Sequence, residues 1–228
     1  MPGSALVNVE SAILKRPIAP GTDPRYSNCL VTQNQKPDTF EPKPRCWWCG
    51  EDPLYIAYHD CEWGIPIHDD RRLFEMLMLE GFQAGLSWIT ILRKRENFRK
   101  AFRSFEPKAM AGFTKRDLDR LALDAGIVRN RLKIEASVLN AKAFLEMSRD
   151  AGSFDKFLWR FTNYQTLRDP RGMTRRRARV TSPESDRMSK ELTARGFRFV
   201  GSTICYAFMQ AVGMVDDHVE GCWKYIAR

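Results

Sequence analysis

No uninterrupted apolar run in the 228 residues reaches the roughly 18 needed to cross a bilayer. The first twenty residues also lack the apolar core and small-residue cleavage site of a secretory signal. Together these absences predict an intracellular protein with no place in a membrane. Strand-like alternation is scarce and no internal repeat is visible, so the fold expected is all-α, with short loops between neighbouring helices. Histidine is nearly absent, with only three in the chain. Six cysteines without a signal peptide argue against a disulfide framework and for thiols that are buried or metal-bound.

An apolar fraction of 43% is enough to bury a full core, as one large domain or two lobes. The formal charge of +9 favours a polyanionic partner, of which nucleic acid is the commonest and a membrane surface the weaker alternative. Residues 1–44 are rich in proline and small polar side chains and hold no helical period. They are expected to be a disordered extension, and the folded domain is expected to span 45–228.

The stretch Leu73 to Leu92, LFEMLMLEGFQAGLSWITIL, organises the rest. It predicts an apolar helix with Asp69 or Asp70 as N-cap, a break around Gly81 and Gly85, and the start of a second helix reaching about Phe102. Glu80 is out of place in it. A carboxylate among Leu77, Leu79, Phe82 and Leu86 must reach a partner or water, or be held for a cationic or hydrogen-bond-donating ligand. Trp88 follows across the glycine break, and an indole beside a carboxylate suits a flat, positively charged ring. The competing reading makes Glu80 an acceptor at a helix end and Trp88 core. Upstream, Trp47, Trp48, Tyr55, Tyr58 and Trp63 crowd into eighteen residues, as core or as a stacking pocket.

Further on, Thr114 and Asp117 form a capping box for a short helix ended by Gly126. Leu132, Ala136, Leu139, Ala143 and Met147 mark one face of a long helix, and Ser153 caps a shorter one. The six arginines between Arg168 and Arg179 read as a solvated, mobile loop that adds non-specific attraction to phosphates. Ser185 or Asp186 starts a helix ending at Gly196. A hairpin over Phe197 to Gly201 then feeds a helix from about Ser202, whose N-terminus would make an anion site.

Two of the histidines stand near cysteines. Cys46 and His59 near the start of the domain, with His218 and Cys222 at its end, supply two thiolates and two imidazoles, the usual set for tetrahedral zinc. Such a metal would tie the ends of the domain together and, with four protein ligands, would be structural. Cys49 and Cys61 are rival ligands, and separate buried thiols are the alternative.

Taken together, CWWCGEDPLYIAYHDCEWGIP, LFEMLMLEGFQAGLSWITILRKRENFRKAF, DAGIVRNRLKI and GFRFVGSTICYAFMQAVGMVDDHVEGC resemble the bacterial 3-methyladenine DNA glycosylase I family over about Arg45 to Cys222. The resemblance implies an all-α, helix-hairpin-helix glycosylase fold with one structural zinc. It also implies a cytoplasmic, nucleoid-associated repair enzyme that works as a monomer on alkylated double-stranded DNA and removes 3-methyladenine. Cys46, His59, His218 and Cys222 fall on the family's zinc ligands, which favours them over Cys49. Glu80 falls on the carboxylate that recognises the alkylated base, and Tyr58 and Trp88 on pocket aromatics. Gly85 and Leu86 match the loop that fills the gap left by the extruded nucleotide, and the hairpin from Phe197 to Gly201 with Thr203 matches the phosphate-binding element.

Two departures stand out. The hairpin usually carries two glycines, whereas here Phe199 occupies the first position and only Gly201 remains. The wider superfamily also has a catalytic aspartate near where Asp216 stands, although this family is not thought to rely on it. Adenine methylated at N3 is cationic and already a good leaving group, so recognising charge can be much of catalysis. The segment Gly196 to Gln210 contains no lysine, which predicts a monofunctional glycosylase without an amine nucleophile. The alternative is a zinc-stapled DNA-binding module without chemistry, indicated if Glu80 is exposed or paired inside the core.

Overall fold

A computed structural model describes residues 42–169 and 171–226; the predicted extension lies, up to residue 41, outside the described residues. The chain is already tied into the fold just before Arg45. Trp223 donates its backbone N–H to the Pro44 carbonyl at 2.9 Å, and the Lys43 ammonium sits over the Trp223 ring.

Regular structure among the described residues is helical, joined by short 3-10 turns. The order is α1 (Pro53–Cys61), α2 (Asp70–Gln83), α3 (Trp88–Ala101), α4 (Pro107–Ala111), α5 (Lys115–Leu123), α6 (Arg131–Ala151), α7 (Phe154–Trp159), α8 (Pro183–Ala194) and α9 (Ser202–Ala211). No helix among the described residues is long and apolar enough to cross a membrane.

Helix α2 is the centre. Nearly all of it from Leu73 to Phe82 is buried, and it packs against α3, α6, α7 and α9. Asp69 is its N-cap, accepting from the Arg72 N–H at 2.8 Å. Asp70, the other candidate, instead accepts from the N–H groups of Phe154 and Asp155, so one residue starts α2 and the next anchors the start of α7.

The break after α2 falls at the second of the two glycines, Gly85, and not at Gly81. Gly81 is inside the helix, and its missing side chain serves packing. A Cβ there would stand 3.4 Å from both the Cβ and the carbonyl oxygen of Phe199, so glycine lets the hairpin lie against α2. The turn itself is made at Ala84 to Ser87, where Gly85 takes φ +82°, a conformation that costs an L side chain about 1 kcal/mol or more.

Thr114 forms the expected capping box with Asp117, but α5 stops at Asp124 rather than Gly126. The Asp124 carboxylate turns the chain by accepting the Gly126 N–H at 2.7 Å. Along α6, Ala136, Ala143 and Met147 are buried, whereas Leu132 and Leu139 are 68% and 47% exposed. Neighbours α2, α4, α5 and α7 all pack on this helix, so its buried surface is wider than one stripe and is displaced towards Ile134, Ala141 and Phe144. Helix α8 starts earlier than Ser185, at Pro183, with Ser182 as N-cap and Ser185 closing the capping box.

The hairpin 197–201 joins α8 to α9. Phe199 adopts φ +54°, the left-handed backbone that a glycine would take without strain. The fold keeps the turn that the missing glycine would make, and a phenylalanine carries it.

The arginine segment is not free. The Leu167 N–H donates to the Met214 carbonyl, the Asp216 N–H to Leu167, and the Glu220 N–H to Met173, each at 2.9 Å. Met173 is buried. The segment therefore lies pinned along the C-terminal stretch as a strap, because its backbone pairs there and Arg168 and Arg177 find Asp216 and Glu220.

Candidate base-binding cavity and metal cluster

A cavity of about 220 Å³ opens between α1, α2, α3, α9 and the strap. Tyr58, Glu80 and Trp88, the three residues the sequence singled out for a flat ring, line it together with Trp47, Trp48 and Gln83. The aromatic crowding upstream thus serves the cavity as well as the core. Tyr58 and Trp88 are buried, with ring centroids 5.4 Å apart and planes inclined at 50°. Trp48 packs edge-on to both Tyr58 and Trp63.

Glu80 is 4% exposed and its Oε2 has no hydrogen-bond partner. Burial alone pushes its carboxyl up to about 8. The indole N–H of Trp88 is likewise buried and unpartnered. A buried polar atom without a partner costs about 1–3 kcal/mol, so two of them facing one cavity mark a place built for a ligand.

The second carboxylate of the cavity is Asp217, not the Asp216 that the sequence brought forward. Asp216 turns to Arg168 at 2.9 Å. Asp217 Oδ2 accepts from the Tyr206 hydroxyl and the Gln210 amide, each at 2.7 Å, while its Oδ1 is buried without a partner. Burial raises its pKa against those bonds. Adjacent residues point to different sides of an irregular segment, and sequence position cannot tell which one faces inward.

Gly85 and Leu86 stand in the turn between α2 and α3, with Leu86 41% exposed. Phe199, Gly201 and Thr203 stand on the hairpin and at the start of α9. Gly201 is the N-cap of α9 and no side chain caps that helix, which leaves its first N–H groups for an acceptor from outside. Two residues missed by the sequence hold these loops, both on α6. Lys133, almost fully buried, donates to the Phe82 and Ala84 carbonyls at 2.9 and 2.6 Å, which steadies the end of α2. Asn140 accepts from the Arg198 N–H at 2.7 Å and donates to the Arg198 carbonyl at 3.0 Å, pairing with the hairpin as a strand would.

Lys133→Met keeps the buried stem and leaves both carbonyls without a donor, which should cost about 2–4 kcal/mol. Urea denaturation checks the loss, and faster amide exchange at residues 84–87 should accompany it. Unchanged exchange in that turn would remove Lys133 as its anchor.

Cys46, His59, His218 and Cys222 form one buried cluster, their ligand atoms all within 4.8 Å of one another. Sulfur and nitrogen stand 3.6 Å apart for Cys46 and His218 Nδ1, 3.4 Å for Cys222 and His59 Nε2, and 3.8 Å for Cys222 and His218 Nδ1. A tetrahedral ion with metal–sulfur bonds of about 2.3 Å and metal–nitrogen bonds of about 2.0 Å separates the two atom types by about 3.5 Å. The donor set and spacing therefore fit a four-coordinate metal. Hydrogen bonds from the Cys46 thiol, His218 and His59 favour the thiolate of Cys222 and lower its pKa.

His59 Nδ1 bonds the Asp60 carboxylate at 2.7 Å, which fixes the ring with Nε2 towards the thiols. Burial disfavours the charge on Asp60, but His59 and Arg45 outweigh it and hold the carboxyl below its usual range. Cys49 is a free, buried thiol outside the cluster. Cys61 is also outside it. Trp63 links cluster and cavity, since it lines the cavity and sets its ring edge-on to His218 at 4.6 Å.

An all-helical frame thus encloses a cavity walled by aromatic rings, with a buried, unpaired carboxylate among its lining residues. Residues 48–225 match the profile of the methyladenine glycosylase family, and the chain belongs to that family. It is 51% identical over 181 residues to DNA-3-methyladenine glycosylase 1 of Escherichia coli K12, covering 79% of this chain and 96% of the relative. It is 48% identical over 179 residues to DNA-3-methyladenine glycosylase of Haemophilus influenzae, covering 78% and 96%. A crystal structure of 3-methyladenine DNA glycosylase I (TAG) superposes with a TM-score of 0.78 at 49% identity, over 80% of this chain and all of that one. The Staphylococcus aureus enzyme, solved to explain 3-methyladenine recognition, gives 0.75 at 37% identity over 78% and 94%.

Proposed function

We propose that this protein is a monofunctional DNA glycosylase that hydrolyses the N-glycosidic bond of 3-methyladenine in alkylated double-stranded DNA. The observation that carries the reading is Glu80: buried, unpaired and facing a cavity walled by aromatic rings. A carboxylate in that state is stabilised by a cation or by a donor edge, and N3-methylated adenine brings both.

The base must leave the duplex to reach such a cavity, at an unstacking cost of roughly a few kcal/mol that is smallest for a damaged base. Leu86 fills the gap, and Gly85 allows the turn that presents it. The hairpin from Phe197 to Gly201, with Thr203 and the open N-terminus of α9, holds backbone phosphate as a helix-hairpin-helix element. Trp88 stacks on the flipped ring, Tyr58 orients it, and Glu80 accepts from its donor edge while offsetting its charge. Water adds to C1′ as the C1′–N9 bond breaks with its electrons to the base, so the base leaves neutral and the water proton passes to solvent.

Cys46, His59, His218 and Cys222 would hold one zinc ion. With four protein ligands it would join the two ends of the domain and take no part in the reaction. Glu62, three residues after the candidate ligand His59, is engaged by Arg95 at 2.5 and 2.9 Å, which argues against a catalytic metal with Glu62 as its base. A DNA-binding module without chemistry would leave the buried Glu80 unexplained. The direct test is to incubate methylated duplex DNA with the protein and identify the bases set free; 3-methyladenine is expected, and its absence would overturn the reading.

Leu86→Ala should weaken binding to an abasic duplex by about tenfold, the value of roughly 1.5 kcal/mol of apolar burial, and leave affinity for free 3-methyladenine unchanged. Leu86 is exposed, so the fold should not suffer. Equal losses for both ligands would remove its role as a plug.

A further inference from the structure

We propose that Arg175, Arg176 and Arg179, supported by Trp47, form a second phosphate grip at the rim of the cavity, taking the phosphates that flank the extruded nucleotide. The inference rests on the glycosylase reading above and adds a DNA contact on a different element from the hairpin.

The strap carries six arginines between 168 and 179, and they divide into two groups. Arg168, Arg171 and Arg177 are engaged by Asp216, Asp169 and Glu220 at 2.9, 3.0 and 3.1 Å. Arg175 and Arg176 are exposed and have no acidic partner among the described residues. Arg179, also exposed, lies 3.8 Å from an Asp169 carboxylate already taken by Arg171 and faces Tyr206 and Asp217 across the cavity.

Two members of the second group stand at the cavity, and Arg176 follows Arg175 in the chain. Arg179 and its neighbour Ala178 line it, as does Trp47. The Arg175 guanidinium lies over the Trp47 ring, 6.0 Å from its centroid. Trp47 is 42% exposed, an unusual state for a tryptophan. Stacking on an indole orders a guanidinium and leaves its charge available.

A nucleotide whose base fills this cavity has its sugar at the mouth and its phosphates beyond the sugar, where these side chains stand. The backbone pairing of Leu167 and Met173 with the C-terminal stretch fixes the strap before DNA arrives. Little ordering entropy is then left to lose on binding.

The test compares two double variants of the full chain, Arg175→Ala with Arg176→Ala and, on α5, Lys115→Ala with Arg116→Ala as a control of equal charge. Affinity for an abasic duplex is measured across salt concentrations. Losing two phosphate contacts should make the slope of log K against log salt shallower by about 1.8, at about 0.9 per phosphate. The control should keep the wild-type slope. Thermal midpoint and affinity for free 3-methyladenine should be unchanged in both. A wild-type slope in the strap variant, or an equal change in the control, would overturn the proposal. If the wild-type protein neither bound abasic duplex nor released base, the glycosylase reading itself would fail. Arg176→Glu alone, which keeps the Arg175 stack on Trp47, should lower affinity further at low salt than Arg176→Ala; equal affinities would count against the grip.

Discussion

Glu80→Gln should reduce affinity for free 3-methyladenine about a hundredfold, because a hydrogen bond to a charged group is worth about 1.5–3 kcal/mol and the amide presents donors to the ligand's own donor edge. The same substitution should stabilise the ligand-free protein at high pH. The carboxyl is raised from 4.5 to about 8 by burial. An acid whose folded value lies above its unfolded one costs the fold stability as pH climbs from the lower value to the higher. The cost is absent below about pH 4 and complete above about pH 8, where it approaches 5 kcal/mol at about 1.4 kcal/mol per unit. Glutamine carries no such cost, so the gap in thermal midpoint between variant and wild type should widen across that window in favour of the variant. Base titration and thermal melts at several pH values measure both effects. A merely structural Glu80 would give the reverse pattern, a lower midpoint at every pH with ligand affinity per folded molecule intact. Asp216→Asn and Asp217→Asn belong in the same series. Asp216 is held by Arg168, so its amide should bind base normally; if it abolished release while Glu80→Gln remained near wild type, the recognising carboxylate would have been misassigned.

Cys222→Ser should remove the metal and much of the stability together. Binding by structural zinc sites is worth about 10–16 kcal/mol in small domains, comparable to the whole folding free energy of a typical protein, about 5–15 kcal/mol. Sulfur and imidazole from positions 163 and 172 residues apart meet here, so an ion at this cluster would close nearly the entire domain. Metal analysis should find one zinc per wild-type chain and none in the variant, and the thermal midpoint should fall steeply. Base release per folded molecule should stay close to wild type, since the cluster meets the cavity through the rings of Trp48 and Trp63 and supplies no lining residue of its own. Cys49→Ser should leave metal content unchanged because Cys49 is outside the cluster. Freshly purified, active wild-type protein without metal would sink the assignment.

Local chemistry was readable in the chain itself. Asp69, Thr114 and Ser153 each cap the helix that follows them, because a cap needs only a side-chain oxygen and an N–H two or three residues away. Glu80 was visible for a similar reason: a carboxylate in an apolar run is anomalous whatever the fold. The two Cys–His pairs were visible as a chemical set but not as a unique one. The family resemblance selected them over Cys49, and the cluster brings those four together.

Other features had no local signature. Lys133 and Asn140 look like ordinary helix residues, yet their partners are Phe82, Ala84 and Arg198, 49 to 58 positions away. The buried face of α6 was misjudged at Leu132 and Leu139 because a helix covered from several sides has no single apolar stripe. Asp217 and Asp216 are indistinguishable in sequence, and the path of the chain after α9 decides which one faces the cavity. The arginine run read as solvated because charge alone does not reveal anchorage. Backbone pairing with the C-terminal stretch turned it into a wall of the cavity. Capping oxygens and misplaced charges act over a few residues and are written in the chain, whereas the direction in which a side chain points across a cavity depends on packing between distant elements, which only the tertiary structure decides.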